Sequence, residues 1–254
     1  MEKIDAVREK IVSKAMTYSN SLLMFQTLRP AGSIAGATRV LEMVRAAICW
    51  VVAMDLREET GGADYARLAE EFREKLGSLL GSEEKEKLRF FETGFIGPYW
   101  EYEAGIKKKI AEGHAFSNPE IEESLARRSS DSILYGTLAQ FEYRFPDEII
   151  DALHALQAIE DVTDCVEDYA EDKEALEPNL FILYLLGANV RREDWPDDFS
   201  GAKMLLREKG VLSDLIRHVE KIYAEAISAP ALVAFSGLRQ ELDEEFRLVM
   251  DHLG

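Results

Sequence analysis

Between Leu156 and Asn179 the chain reads LQAIEDVTDCVEDYAEDKEALEPN, and this stretch limits the fold more than any other. Gln157, Asp161, Asp164, Asp168 and Asp172 recur at intervals of four, three, four and four. That spacing gathers side chains on one face of a helix. Glu160, Glu167 and Glu171 widen the face, while Leu153, Leu156, Ile159, Val162, Val166 and Tyr169 fall mostly opposite, so the segment is predicted to be an amphipathic helix. Carboxylates four apart repel by a few tenths of a kcal/mol per pair, so such a stripe needs a compensating partner. Water is the ordinary partner of a charged face. The other is a hard divalent cation such as Mg²⁺, which a few carboxylates hold while substrate phosphates and water complete its shell.

The chain has 254 residues, 47% of them hydrophobic, which is enough for a core and reads as one domain. Its formal charge of −18 argues against a nucleic-acid-binding surface, which needs clustered Lys and Arg. An anionic small substrate stays compatible with this charge, because a bound metal inverts the local field. Cys49 and Cys165 form neither a disulfide framework nor a zinc motif, and both fit a reducing cytoplasm. Cys49 lies in an apolar run and reads as a small core residue. The opening MEKIDAVREK lacks the apolar centre of a signal peptide. The run from Val40 to Met54 is interrupted by Glu42 and Arg45 and is too short to span a bilayer. The expectation is a soluble cytoplasmic protein, with peripheral membrane contact and a homodimer left open.

In chain order, Glu2 to Thr17 reads as a helix, followed by Tyr18-Ser19-Asn20-Ser21, where hydroxyls can cap a helix or hold a phosphate oxygen. Val40 to Met54 is apolar nearly all round, as in a helix at the centre of a bundle. It delivers Asp55, Glu58 and Glu59 in its last turn before Gly61-Gly62 stops it, placing carboxylates at the unfavourable negative end of the dipole. Asp64 to Leu80 reads as a peripheral helix. A further helix from Ser82 carries Phe90, Phe91, Phe95, Tyr99, Trp100 and Tyr102 and is kinked by Gly94, Gly97 and Pro98. These aromatics suit a core or the wall of a pocket for a long apolar ligand. Lys107 to Lys109 reads as a solvated patch. Asn118-Pro119-Glu120 starts a helix expected to run through Tyr135 to Tyr143. Pro146 and Asp147 open the acidic helix, and Pro178 ends or redirects it. Two last helices are expected over Val211 to Ile227 and Ala231 to Leu253. With no strand pairs, no phosphate-binding glycine loop and no nucleophile elbow, the reading is an all-α bundle.

The two acidic stretches together resemble the isoprenoid synthase superfamily, and within it the squalene and phytoene synthases most. Asp55-Leu56-Arg57-Glu58-Glu59, closing an apolar helix, is similar to that family's first acidic motif. Gln157, Asp164, Glu167 and Asp168 keep the spacing of its second, with Pro178 following. Ser19-Asn20-Ser21 resembles its phosphate contact, and Tyr135-Gly136 its tyrosine in a small-residue helix. Glu160, Thr163 and the run Glu171 to Ala175 depart from the pattern, standing where the family has asparagine, arginine and a basic segment.

The resemblance implies a helical bundle around a central apolar cavity, prenyl diphosphate substrates and Mg²⁺ as cofactor. It implies Asp55, Glu58, Glu59, Glu160, Asp161, Asp164 and Asp168 as metal ligands. Ser19, Ser21, Arg45, Gln157 and Lys173 would contact phosphate. Tyr135, Phe91, Phe95, Trp100 and Phe141 would wall the cavity around an allylic cation. The reaction implied is head-to-head coupling. A rival alignment, in which Gln157 to Asp164 resembles the second motif of head-to-tail elongases and some cyclases, stays open. So does a non-catalytic prenyl-binding or scaffold relative.

Overall fold

The computed structural model describes residues 2–17 and 37–254. Its α-helices are α1 (Glu2–Thr17), α2 (Ala37–Thr60), α3 (Ala63–Leu79), α4 (Ser82–Phe91), α5 (Gly97–Ala111), α6 (Asn118–Arg128), α7 (Asp131–Tyr143), α8 (Asp147–Glu167), α9 (Tyr169–Ala175), α10 (Leu180–Gly187), α11 (Phe199–Glu208), α12 (Leu212–Ile227) and α13 (Ser236–Leu253). A π-helical turn, Glu92–Ile96, joins α4 to α5, and short 3-10 turns cover Arg192–Asp194 and Pro230–Ala234. Among the described residues there is no strand, so the all-α expectation holds. The chain divides into two compact units, one of Met1–Phe91, Asp131–Ile150 and Ala231–Leu238, the other of Glu92–Ser130, Asp151–Pro230 and Arg239–Gly254.

In the first unit the apolar run becomes the middle of α2. Val40, Met43, Val44, Ala46 to Trp50, Val52, Ala53 and Leu56 are all buried, and α2 packs against α1, α3 and α7. A helix covered on this many sides can be apolar over most of its circumference. Within the apolar run, the exposed positions are the two charges that interrupt it, Glu42 and Arg45, together with Leu41. The helix stops at Gly61, which adopts φ +65 and closes the end by donating to the Arg57 carbonyl at 2.8 Å. From α2, Arg39 reaches Glu84 of α4 at 2.7 Å, the Leu79 carbonyl at 2.9 Å and Glu142 of α7. This one side chain therefore ties α2 to three other helices. Leu232, Phe235 and Leu238 are buried, and Phe235 meets Phe145 edge-on at 5.9 Å.

The second unit is built on α10, LFILYLLG, whose residues from Leu180 to Leu186 are all buried. It packs on α6 and α11. At Gly187 an added Cβ would meet the Phe116 carbonyl oxygen at 2.6 Å, so close backbone approach requires glycine there. Asn179, fully buried, accepts from the Phe181 N–H at 3.0 Å and so caps α10. Its amide also donates to the Cys165 carbonyl at 2.8 Å and to Asp172 Oδ2 at 2.9 Å. Both cysteines are buried and unpaired by disulfides. Lys107 and Lys109, predicted to be solvated, pair with Glu177 at 2.7 Å and Glu120 at 2.9 Å.

Two expected helices are broken. The segment predicted to run from Asn118 to Tyr143 stops at Arg128 and restarts at Asp131. The acidic helix predicted to reach Pro178 bends at Asp168, with φ −91 and ψ 2, between α8 and α9. The start at Asn118 holds, but its cap is not Asn118. Ser117 is the cap, because Glu120 lies three residues on and accepts both its N–H and its hydroxyl at 2.9 Å. The last predicted helix begins at Ser236 rather than Ala231, after the 3-10 turn.

Candidate functional site

The breaks at Ser129 and Asp168 are the features that build the candidate site. A serine near the end of a helix can turn its hydroxyl to another element instead of extending the helix. Ser129 donates toward the Leu125 carbonyl at 2.9 Å and lies 2.6 Å from Asp161 Oδ2 on α8. Gln157, one turn earlier on α8, donates to Asp161 Oδ1 at 3.2 Å. Arg128 donates to the Pro178 carbonyl at 3.0 Å and sits 3.9 Å from the same Asp161 Oδ1. Asp161, 5% exposed, is thus enclosed by partners on both oxygens.

Electrostatics follow from this enclosure. Burial pushes the Asp161 carboxyl up, while Arg128, Ser129 and Gln157 pull it back. Burial works against the charge of Arg128, but the acidic groups around it, Cys165, Asp161, Tyr99 and Asp172, outweigh that and hold the guanidinium well above its ordinary value. Glu160, half-buried, is raised to about 8 by burial and then by Glu245, Asp161, Asp164 and Glu241. Asp164 keeps contact with water, yet the protein packed around its carboxyl pushes it up to about 6, with Asp161, Asp168 and Glu167 adding to the effect and Arg128 opposing it. Glu167 and Asp168 are exposed at the end of α8. Asp172 is half-buried, raised by burial and held by Asn179. Lys173 pairs with Asp197 at 2.6 Å. Trp100 meets Tyr99 edge-on at 6.1 Å.

In the first unit, Asp55 is half-buried in the last turn of α2, and Glu58 is exposed with Arg57 Nε 3.5 Å from its Oε1. Arg45 is exposed on the same helix. Tyr135 and Phe91 are buried. Phe141 is half-buried, with the Lys87 ammonium 5.5 Å from its ring centroid. Ser19 and Ser21 lie outside the described residues, as do the side chains of Glu59 and Phe95. Arg128 and Ser129, central to the second unit, were not among the residues singled out in the sequence. The signal that could have found them is Ser129-Ser130-Asp131, a run of helix-capping residues inside a supposed helix.

The donor set on this face of α8, Glu160 and Asp164 with Glu241 and Glu245 near Glu160, consists of carboxylate oxygens and carries more negative charge than Arg128 offsets. This is the donor chemistry of a hard divalent cation. Among the described residues no three His, Cys, Asp or Glu side chains converge as a cage. No helix of the described residues is long and apolar enough to cross a membrane. Comparison with protein-family models, with curated proteins and with solved structures gave no match.

Proposed function

We propose that this chain binds an allylic prenyl diphosphate with the help of Mg²⁺ and ionises it, with head-to-head coupling of the squalene and phytoene synthase type as the reaction its motifs favour. The observation that carries the reading is the pair Glu160 and Asp164. Both carboxyls are raised by burial and by like-charged neighbours, and the nearby Arg128 is engaged with Pro178 and Asp161. Crowded carboxylates are stabilised when a cation joins them.

Glu160, Asp164 and Asp168 would hold the cation from the acidic helix. A bound divalent cation neutralises the charge that develops on a departing diphosphate. Trp100, half-buried in the same unit as Glu160 and Asp164, would help keep water from the allylic cation. The diphosphate itself can accept any proton released, so the reading requires no protein base.

A second reading has its own support. Asp161 and Lys173 are both engaged internally, as in a relative that kept the helical scaffold and lost the reaction. Incubation with farnesyl and geranylgeranyl diphosphate, with and without Mg²⁺, separates the two. Mg²⁺-dependent release of diphosphate, lost in Asp164→Asn, supports the enzyme, and the organic product then distinguishes head-to-head coupling from elongation or cyclisation. Mg²⁺-dependent binding without release supports the scaffold. Neither binding nor release overturns both.

A further inference from the structure

The acidic face of α8 contains two aspartates, one turn apart, in opposite circumstances. Asp164 reaches solvent, whereas Asp161 is 5% exposed. Both Asp161 oxygens are occupied, one by Ser129 at 2.6 Å and the other by Gln157 at 3.2 Å, with Arg128 at 3.9 Å. Arg128 continues to the Pro178 carbonyl at 3.0 Å, and Asn179 beside it holds the Cys165 carbonyl of α8 and the Asp172 carboxylate of α9. The chain that leaves α8, bends at Asp168 and returns through Pro178 is therefore fastened at both ends to buried groups.

A helix pinned on one side by a buried, hydrogen-bonded carboxylate cannot rotate about its axis without breaking that network. Rotation is the motion that would carry Asp164 away from its neighbours, because residues three apart on a helix share a face. We infer that Asp161 and Arg128 are positioning residues rather than cation ligands: they fix the rotation of α8, and with it the direction in which Asp164 is presented. Resting on the cation-site reading given above, this inference removes Asp161 from the ligand set and adds Arg128 and Ser129 to the residues on which the site depends.

The test compares Asp161→Asn, Asp161→Ala, Arg128→Lys and Asp164→Asn in the full chain. Mn²⁺ affinity in the presence of inorganic diphosphate is read by electron paramagnetic resonance, and thermal unfolding is followed in parallel. An asparagine at position 161 can still accept from Ser129, whereas alanine cannot. Asp161→Ala is expected to weaken Mn²⁺ binding about tenfold, as loss of a supporting hydrogen bond does. Asp161→Asn and Arg128→Lys should each show only a small part of that loss. Asp164→Asn should weaken binding at least as much as Asp161→Ala with an unchanged unfolding temperature.

Equal loss in Asp161→Asn and Asp161→Ala would make Asp161 a ligand and overturn the inference. A lowered unfolding temperature in Asp161→Ala with unaltered Mn²⁺ affinity would reduce the pair to a purely structural role and overturn it as well. Failure of the unsubstituted protein to bind Mn²⁺ would overturn the cation-site reading first, and the inference with it. The first two outcomes overturn the inference while leaving that reading intact.

Discussion

Glu160 and His218 show how burial changes a titrating side chain according to the sign of its charge. Glu160 is raised to about 8, so between the usual carboxylate range and that value the unfolded chain ionises and the folded chain does not. Stability from this group is full at low pH and is lost as pH rises towards 8. Glu160→Gln removes the loss. Urea denaturation at pH 8 is expected to show the variant more stable by about 1 kcal/mol, a figure discounted for the water that reaches the site, with the difference vanishing near pH 4. His218 is buried on α12, its Nδ1 has no hydrogen-bond partner, and burial lowers its pKa. Here the unfolded chain takes up the proton first, so stability is full above the ordinary histidine range and falls as pH drops through it. His218→Gln should flatten the unfolding free energy between about pH 5 and 7. The carboxylate spacing on α8 was legible in the sequence, because helical periodicity puts it there. Which of those carboxylates faces inward was not, because that depends on Ser129 and Arg128, more than thirty residues earlier.

At the scale of elements, local chemistry marked most helix ends, and long-range hydrogen bonds decided the others. Gly61 was legible as a stop for α2. The start of α6 at Asn118 was legible, whereas its cap lies one residue earlier, in the Ser117–Glu120 box. Ser117→Ala removes one member of that box and is expected to cost about 1 kcal/mol in thermal or urea unfolding. The backbone and hydroxyl of Ser117 and the ammonium of Lys109 hold the Glu120 carboxyl down to about 2. Its contribution is therefore full at neutral pH and is lost as pH falls below the usual carboxylate range. The bend at Asp168 leaves no mark in the hydrophobic pattern, since hydrogen bonds from Asp168 N–H to Asp164 and from Asp172 N–H to Asp168 continue across it at 2.8 and 2.9 Å. Asn179 holds the returning segment. Asn179→Ala strands the Cys165 carbonyl, the Asp172 carboxylate and the Phe181 N–H, and is expected to destabilise by about 3 kcal/mol or more in denaturant titration.

For the whole molecule, the all-helical class could be read from periodicity, whereas the grouping of helices into two units could not. Periodicity reports which face of a helix is buried, not which partner buries it. The division is carried by particular contacts, such as Arg39 joining α2 to α4 and α7, and neither partner is marked locally. The net charge of −18 acts on both units at once. Like charges held close in the folded state repel, and salt screens them. The unfolding temperature is expected to rise by a few degrees between about 20 mM and about 0.5 M NaCl, and differential scanning calorimetry checks this. Each unit is also assembled from three separate stretches of chain, and the first is completed only by Ala231–Leu238. During synthesis, then, the earliest helices to leave the ribosome wait for nearly the whole chain before the buried Leu232, Phe235 and Leu238 can reach them. A nascent chain arrested before that point would leave Phe145 without Phe235, its edge-on partner, and present it to chaperones.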